Sequence, residues 1–144
     1  MTQDSFQDQL VKLVRAFGWH RPTTTPCGHP VPIAEAHALL ELSRCGSITQ
    51  RELALRINLQ KSTVSRIVSN LEGQGWIVRR RNNVDGRARD VILTTAGTLV
   101  AGELASARQA KMDGILARIP EEQRQAVRES LDTLIEAMQE SCAG

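Results

Sequence analysis

"WIVRRRNNVDGRARDVILTT", residues 76–95, is the stretch whose reading decides the fold. Its first three residues are aromatic or β-branched, as strands prefer, and "DVILTT" at its far end reads as the partner strand. Asp85-Gly86 lies between them and signals a tight hairpin turn, because two-residue turns need a positive φ. Five arginines fall between Arg79 and Arg89. The segment is therefore expected to be a hairpin with arginines on its rim and tip, and not an unstructured basic tail. The formal net charge of the chain is only +2, so attraction to a polyanion must come from local clustering of this kind.

Immediately upstream, "KSTVSRIVSNLEGQG" places Val64, Ile67, Val68 and Leu71 at i, i+3, i+4 and i+7, one buried face of a helix. The opposite face carries Ser62, Thr63, Ser65, Arg66 and Ser69. An ordinary solvated face would carry more Glu and Lys. Before it, "SITQRELALRI" sets Thr49 and Glu52 three apart, the spacing of a capping box, with Ile48 placed as a hydrophobic staple. "IAEAHALLELSRC" reads as a further helix with Ala36, Leu39 and Leu40 inward, stopped at Gly46. "HRPTTTPCGHPVP" precedes it, too rich in proline for regular structure.

The two ends are helical and greasy. Phe6, Leu10, Leu13, Val14 and Phe17 form one stripe, ended by Gly18. A long helix is expected from Thr95 to Ile119. After Pro120 a last one carries Val127, Leu131, Leu134, Ile135 and Met138. Helices this apolar would be exposed on a lone monomer, so they are expected to meet a second copy of the chain.

At 144 residues the chain has room for one core. With two Trp, two Phe and no Tyr, that core must be aliphatic, which favours helices over a β-sandwich. The N-terminus lacks the pattern of a signal peptide, and no run is long enough to span a membrane. Three cysteines at irregular spacing fit a reduced, cytoplasmic chain better than a disulfide framework. Neither a nucleophile–base–orienter set nor a glycine-rich phosphate loop is evident, so an enzyme is not expected.

A capped helix, a short turn, a second helix with a polar outer face and an arginine-tipped hairpin make a winged helix-turn-helix. The fold class expected is mainly α with a small β-hairpin wing. Residues 31–94 would form the DNA-binding domain, and residues 1–30 and 95–144 a helical dimerisation region. Ser62, Thr63, Ser65 and Ser69 would face phosphates or base edges of double-stranded DNA. Arg66 is the side chain best suited to guanine O6 and N7. Arg87 and Arg89 would reach the minor groove from the wing. Residues 53–97, about a third of the chain, resemble the core of the MarR-type transcriptional regulators. The resemblance lies in "TVSRIVSNLEGQGWIVR", the Asp-x-Arg wing at Asp85, Gly86 and Arg87, and "LTTAG" opening the next helix. It implies a homodimer on a pseudo-palindromic operator, acting as a repressor that a small-molecule effector, metal or oxidant releases from DNA. It also implies that Asp85 braces the wing through Arg79 or Arg87.

For sensing, Cys27 and His29 lie on the proline-rich loop, with His37 on the next helix and Cys45 near its end. Thiolate and imidazole together suit a soft metal ion, and a thiol near a cation suits oxidant sensing. Cys-x-His is no established metal spacing. The thiol sensors of the family carry their cysteine within the first helix, where this chain has none. A loop that merely turns, with Cys45 in the core, stands as the third reading. No cofactor follows outright from the three readings together; a metal ion belongs to the first and a redox-active thiol to the second. Two rivals to a regulator are an architectural nucleic-acid binder and a thiol or metal enzyme built around Cys27.

Overall fold

The computed structural model describes residues 4–21, 24–26, 28, 30–84 and 86–142. Cys27, His29 and Asp85 therefore lie outside the described residues. The elements in chain order are α1 (Phe6–Phe17), α2 (Ile33–Cys45), β1 (Ile48–Thr49), α3 (Gln50–Ile57), α4 (Lys61–Gly73), β2 (Ile77–Arg81), β3 (Arg89–Leu93), α5 (Thr95–Arg118) and α6 (Glu121–Cys142). This is the expected class, mainly helical with a small antiparallel sheet. The chain divides into two compact units, the boundary falling after Arg108, within α5.

In the first unit, α2, α3, α4 and the sheet enclose one aliphatic core. Leu39 and Leu42 from α2, Leu53 from α3, Val64, Val68 and Leu71 from α4, Ile77 and Val91 from the strands are all buried. Gly97, Ala101 and Leu104 add the opening turns of α5 to the buried set. Each apolar position belongs to the face that the helical or strand period assigns to it. α3 turns into α4 through Asn58, whose left-handed φ of 55° ends the first helix, the one non-glycine residue at positive φ among the described residues.

The sheet departs from expectation in three places. Ile48, just before the cap, is also a strand residue: it belongs to β1, is buried, and pairs with Val91 of β3, which puts β3 in the middle of the order β1-β3-β2. The two-residue signal did not register this short third strand. Thr49 and Glu52 form only half of a capping box. The Thr49 hydroxyl accepts the Glu52 amide at 3.1 Å, whereas the Glu52 carboxylate turns to the Arg56 guanidinium at 2.9 Å, a stronger, charged donor. Nor is the hairpin closed by a two-residue turn. β2 ends at Arg81 and β3 begins at Arg89, leaving residues 82–88 as a wider tip, closed by Asn82 donating its amide to the Ala88 carbonyl at 3.1 Å.

Side chains hold that tip in place of a tight turn. The Asn82 Oδ1 accepts the Val84 amide at 2.9 Å, an Asx-type turn, and its Nδ2 donates to Asp90 at 2.8 Å. Arg81 Nε donates to the Gly86 carbonyl at 3.3 Å.

α1 begins with a full capping box between Ser5 and Asp8 and ends at Gly18 in the left-handed region. It buries none of its residues: Phe6, Leu13 and Val14 are exposed. In the second unit, α6 carries Val127, Leu131, Ile135 and Met138 along one side, all exposed. Among the described residues no helix is long and apolar enough to cross a membrane.

Candidate nucleic-acid interface

α4 is pinned by its buried face, and this fixes what its other side presents. With Val64, Ile67, Val68 and Leu71 inward, Ser62, Arg66 and Ser69 are exposed, and Thr63 and Ser65 half-buried. The start of the helix is unusual in charge. Gln60 at the cap makes no side-chain bond to the first turn, that turn holds no acidic residue, and Lys61 is its first member. Anionic residues normally occupy this position, where they complement the helix dipole. α1 and α3 obey that rule, with Asp8 and Glu52.

The wing stands beside this helix. Arg80, Arg81, Arg87 and Arg89 are exposed, and Arg81 and Arg89 face each other across the last pair of the hairpin. Like charges directly opposite oppose pairing, which accounts for the opening of the tip just beyond them. Arg87 and Arg89 line one open cleft together with Arg51 of α3 and Lys61 of α4.

Arg79, on β2 of the wing, ties that strand to α4. Its Nη2 donates to the Ser69 hydroxyl at 2.7 Å, and its Nε lies 3.8 Å from the Glu72 carboxylate. That Nε is buried without a hydrogen-bond partner, so the guanidinium is held by contact and charge more than by a fork of bonds. Ser69 is thereby engaged within the protein. Within the wing, Asn82, Arg81 and Asp90 make the bonds described above. The sequence reading missed them; an Asn directly after a strand is the signal that could have found them.

The residues considered for sensing are not brought together. His37 lies exposed on α2 and is held below the ordinary imidazole range, first by partial dehydration and then by the nearby Arg108. Cys45 is half-buried at the other end of α2. Its thiol donates to Glu41 at 3.4 Å and receives a hydrogen bond from Arg56 at 3.0 Å. Among the described residues no group of three His, Cys, Asp or Glu is placed to hold a metal ion.

Known proteins share this arrangement. The MarR family model matches residues 31–88, which run from the entry to α2 into the wing. A helix-turn-helix transcriptional regulator of Mycobacterium leprae is 25% identical over 132 residues, covering 92% of this chain and 89% of that protein. The transcriptional repressor MdtR of Bacillus subtilis is 31% identical over 90 residues, covering 62% of this chain and 58% of that one. Among solved structures, Staphylococcus aureus MepR in its DNA complex superposes with a TM-score of 0.78 at 19% identity, over 94% of this chain and 99% of that one. With helix, turn, polar-faced helix and wing assembled in this order, residues 31–88 are similar to the MarR family, and the relatives named above are transcriptional regulators.

Proposed function

We propose that this chain is a sequence-specific repressor that binds a pseudo-palindromic operator as a homodimer. One observation carries the proposal: a helix whose buried face fixes Ser62, Thr63, Ser65 and Arg66 outward, beside a wing carrying Arg87 and Arg89. A helix of this kind enters the major groove by its N-terminal part, where a guanidinium can take guanine O6 and N7 together. The wing arginines then reach the flanking minor groove. Residues 31–94 carry the DNA contacts; residues 1–30 and 95–144 carry the dimer. The exposed apolar positions of α1 and of α6 support that division, and half-sites would lie about one helical turn apart. Asp85 with Arg79 or Arg87 is retained as a brace of the wing. The repressor role takes support from the likeness to MdtR.

Release from DNA by a small molecule, an oxidant or a metal ion completes the proposal, with Cys27, His29, His37 and Cys45 as the residues to test and the cytoplasm as the site of action. The test is footprinting on the DNA upstream of the chain's own coding region, with the mass of the complex measured in solution. A discrete symmetric footprint from a dimer is expected. Arg66→Ala should cost about 1–3 kcal/mol on the specific site and relax its preference, while Arg87→Ala should weaken specific and random DNA alike. A monomer that coats DNA without a preferred site would mark an architectural binder instead.

A further inference from the structure

The hairpin tip, residues 82–88, reads Asn-Asn-Val-Asp-Gly-Arg-Ala. Asn, Asp and Gly are the residues that turns favour, and a β-branched valine is not. Among the large apolar residues described, Val84 is the most exposed, at 99%, against 75% for Leu55, the next. It buries nothing against the fold, so packing does not account for it. The backbone that carries it is held nonetheless. Asn82 Oδ1 accepts the Val84 amide at 2.9 Å and Asn82 Nδ2 donates to Asp90, while Arg81 reaches the Gly86 carbonyl on the far side. A fixed tip that presents an isopropyl group to water is relieved of that exposure only when the group meets a surface. Val84 lies on the rim shared with Arg87 and Arg89, the side that the arginines turn to DNA in the reading above.

We propose that Val84 is a specificity-determining residue: its isopropyl group rests on the minor-groove floor and selects A·T pairs at the positions the wing covers. The inference rests on the regulator reading above and deepens it. An A·T pair shows the minor groove only the acceptors adenine N3 and thymine O2, whereas a G·C pair adds the guanine N2 amino group. An apolar side chain offers that amine no acceptor, and seating against it would strip the amine of water without replacement. Over A·T pairs the floor carries no amine, the groove is narrower, and the acceptors are left to Arg87 alongside.

The test starts from a random-sequence duplex pool, from which the full chain and its variants Val84→Ser and Val84→Ile each select bound molecules. The wild type and Val84→Ile should enrich A·T pairs at the flanks of the major-groove half-sites; Val84→Ser should not. One selected duplex is then remade with G·C or inosine·C at those flanks, because inosine keeps O6 and N7 and lacks only the N2 amine. The wild type should bind the A·T and inosine·C duplexes about five- to tenfold more tightly than the G·C duplex, the low end for one altered pair. Val84→Ser should bind all three within about twofold. The slope of log K against log salt should be the same in every variant, since Val84 carries no charge; a tip that had lost its shape would withdraw Arg87 and lower the slope by about one. A wild type indifferent to the flanks, or one that treats inosine·C like G·C, overturns the assignment. So does Val84→Ser with the wild-type preference, which returns the selectivity to the arginines, or with a lowered slope, which makes Val84 a folding residue. A wild type that binds no duplex at all removes the regulator reading first, and this assignment with it.

Discussion

Gly97 lies where two segments come closest. A Cβ built there would stand 1.9 Å from the Trp76 carbonyl oxygen and 2.8 Å from its carbon, both backbone atoms that cannot swing aside. Around this contact Thr94 donates its amide to the same carbonyl at 2.9 Å, and its hydroxyl bridges the Gly75 carbonyl and the Gly97 amide. The start of β2 and the start of α5 are therefore one joint. Gly97→Ala should cost at least about 1–3 kcal/mol, the usual cost of overpacking, and lower the thermal midpoint by several degrees; an unchanged melt would mean that the joint opens freely. Ser69 tests a different point. Its hydroxyl accepts from the Arg79 guanidinium at 2.7 Å, so Ser69→Ala should destabilise the fold by about 1–3 kcal/mol through loss of a charged hydrogen bond. If Ser69 instead touches bases, the variant will melt like the wild type and bind a different set of sequences.

At the level of elements, the helix starts divide by task. α3 is capped for stability by Thr49 on the Glu52 amide. Thr49→Ala should therefore cost about 1 kcal/mol, and Thr49→Ser should restore most of it. Thermal melts of the two variants decide the point: an equal loss in both would assign the effect to the β1 pairing of Thr49 with Asp90 rather than to the cap. α4 has neither side-chain cap nor first-turn acid. Its open amides and Lys61 are costly for an isolated helix and useful beside a phosphate. The wing shows the same preference for charge over local stability, with Arg81 opposite Arg89. Both departures from good local design fall on the face proposed for DNA, as expected where function competes with folding.

For the molecule as a whole, pH reports on one partly dehydrated imidazole. His37 has its folded pKa lowered by dehydration and by Arg108, so the unfolded chain takes up its proton first. Stability linked to this residue is fully present above the ordinary imidazole value and declines as pH falls below it. Measured against His37→Gln, the wild type should lose relative stability as pH falls below the ordinary imidazole value of about 6.5. A difference that grows in the opposite direction would show that His37 gains an anionic partner. The net charge of +2 is likewise a whole-molecule figure that hides its arrangement. Cations exposed on the wing and α4 face DNA in the proposal, while Glu41 and Glu52 pair with Arg56 elsewhere.

The sequence by itself determined the helices, their buried faces and the existence of the wing, because period and composition act within a few residues. Val64, Ile67, Val68 and Leu71 could face only one way, and Ser62 and Arg66 had to face the other. Tertiary structure decided what depends on partners distant in sequence. Ile48 became a strand because Val91, 43 positions on, offered it a ladder. Glu52 left its cap for Arg56, and Arg79 met Ser69, ten positions back on α4. Likewise, the meeting of Arg51 and Lys61 with the wing arginines in one cleft is a property of packing, since no local spacing brings α3, α4 and β3 together.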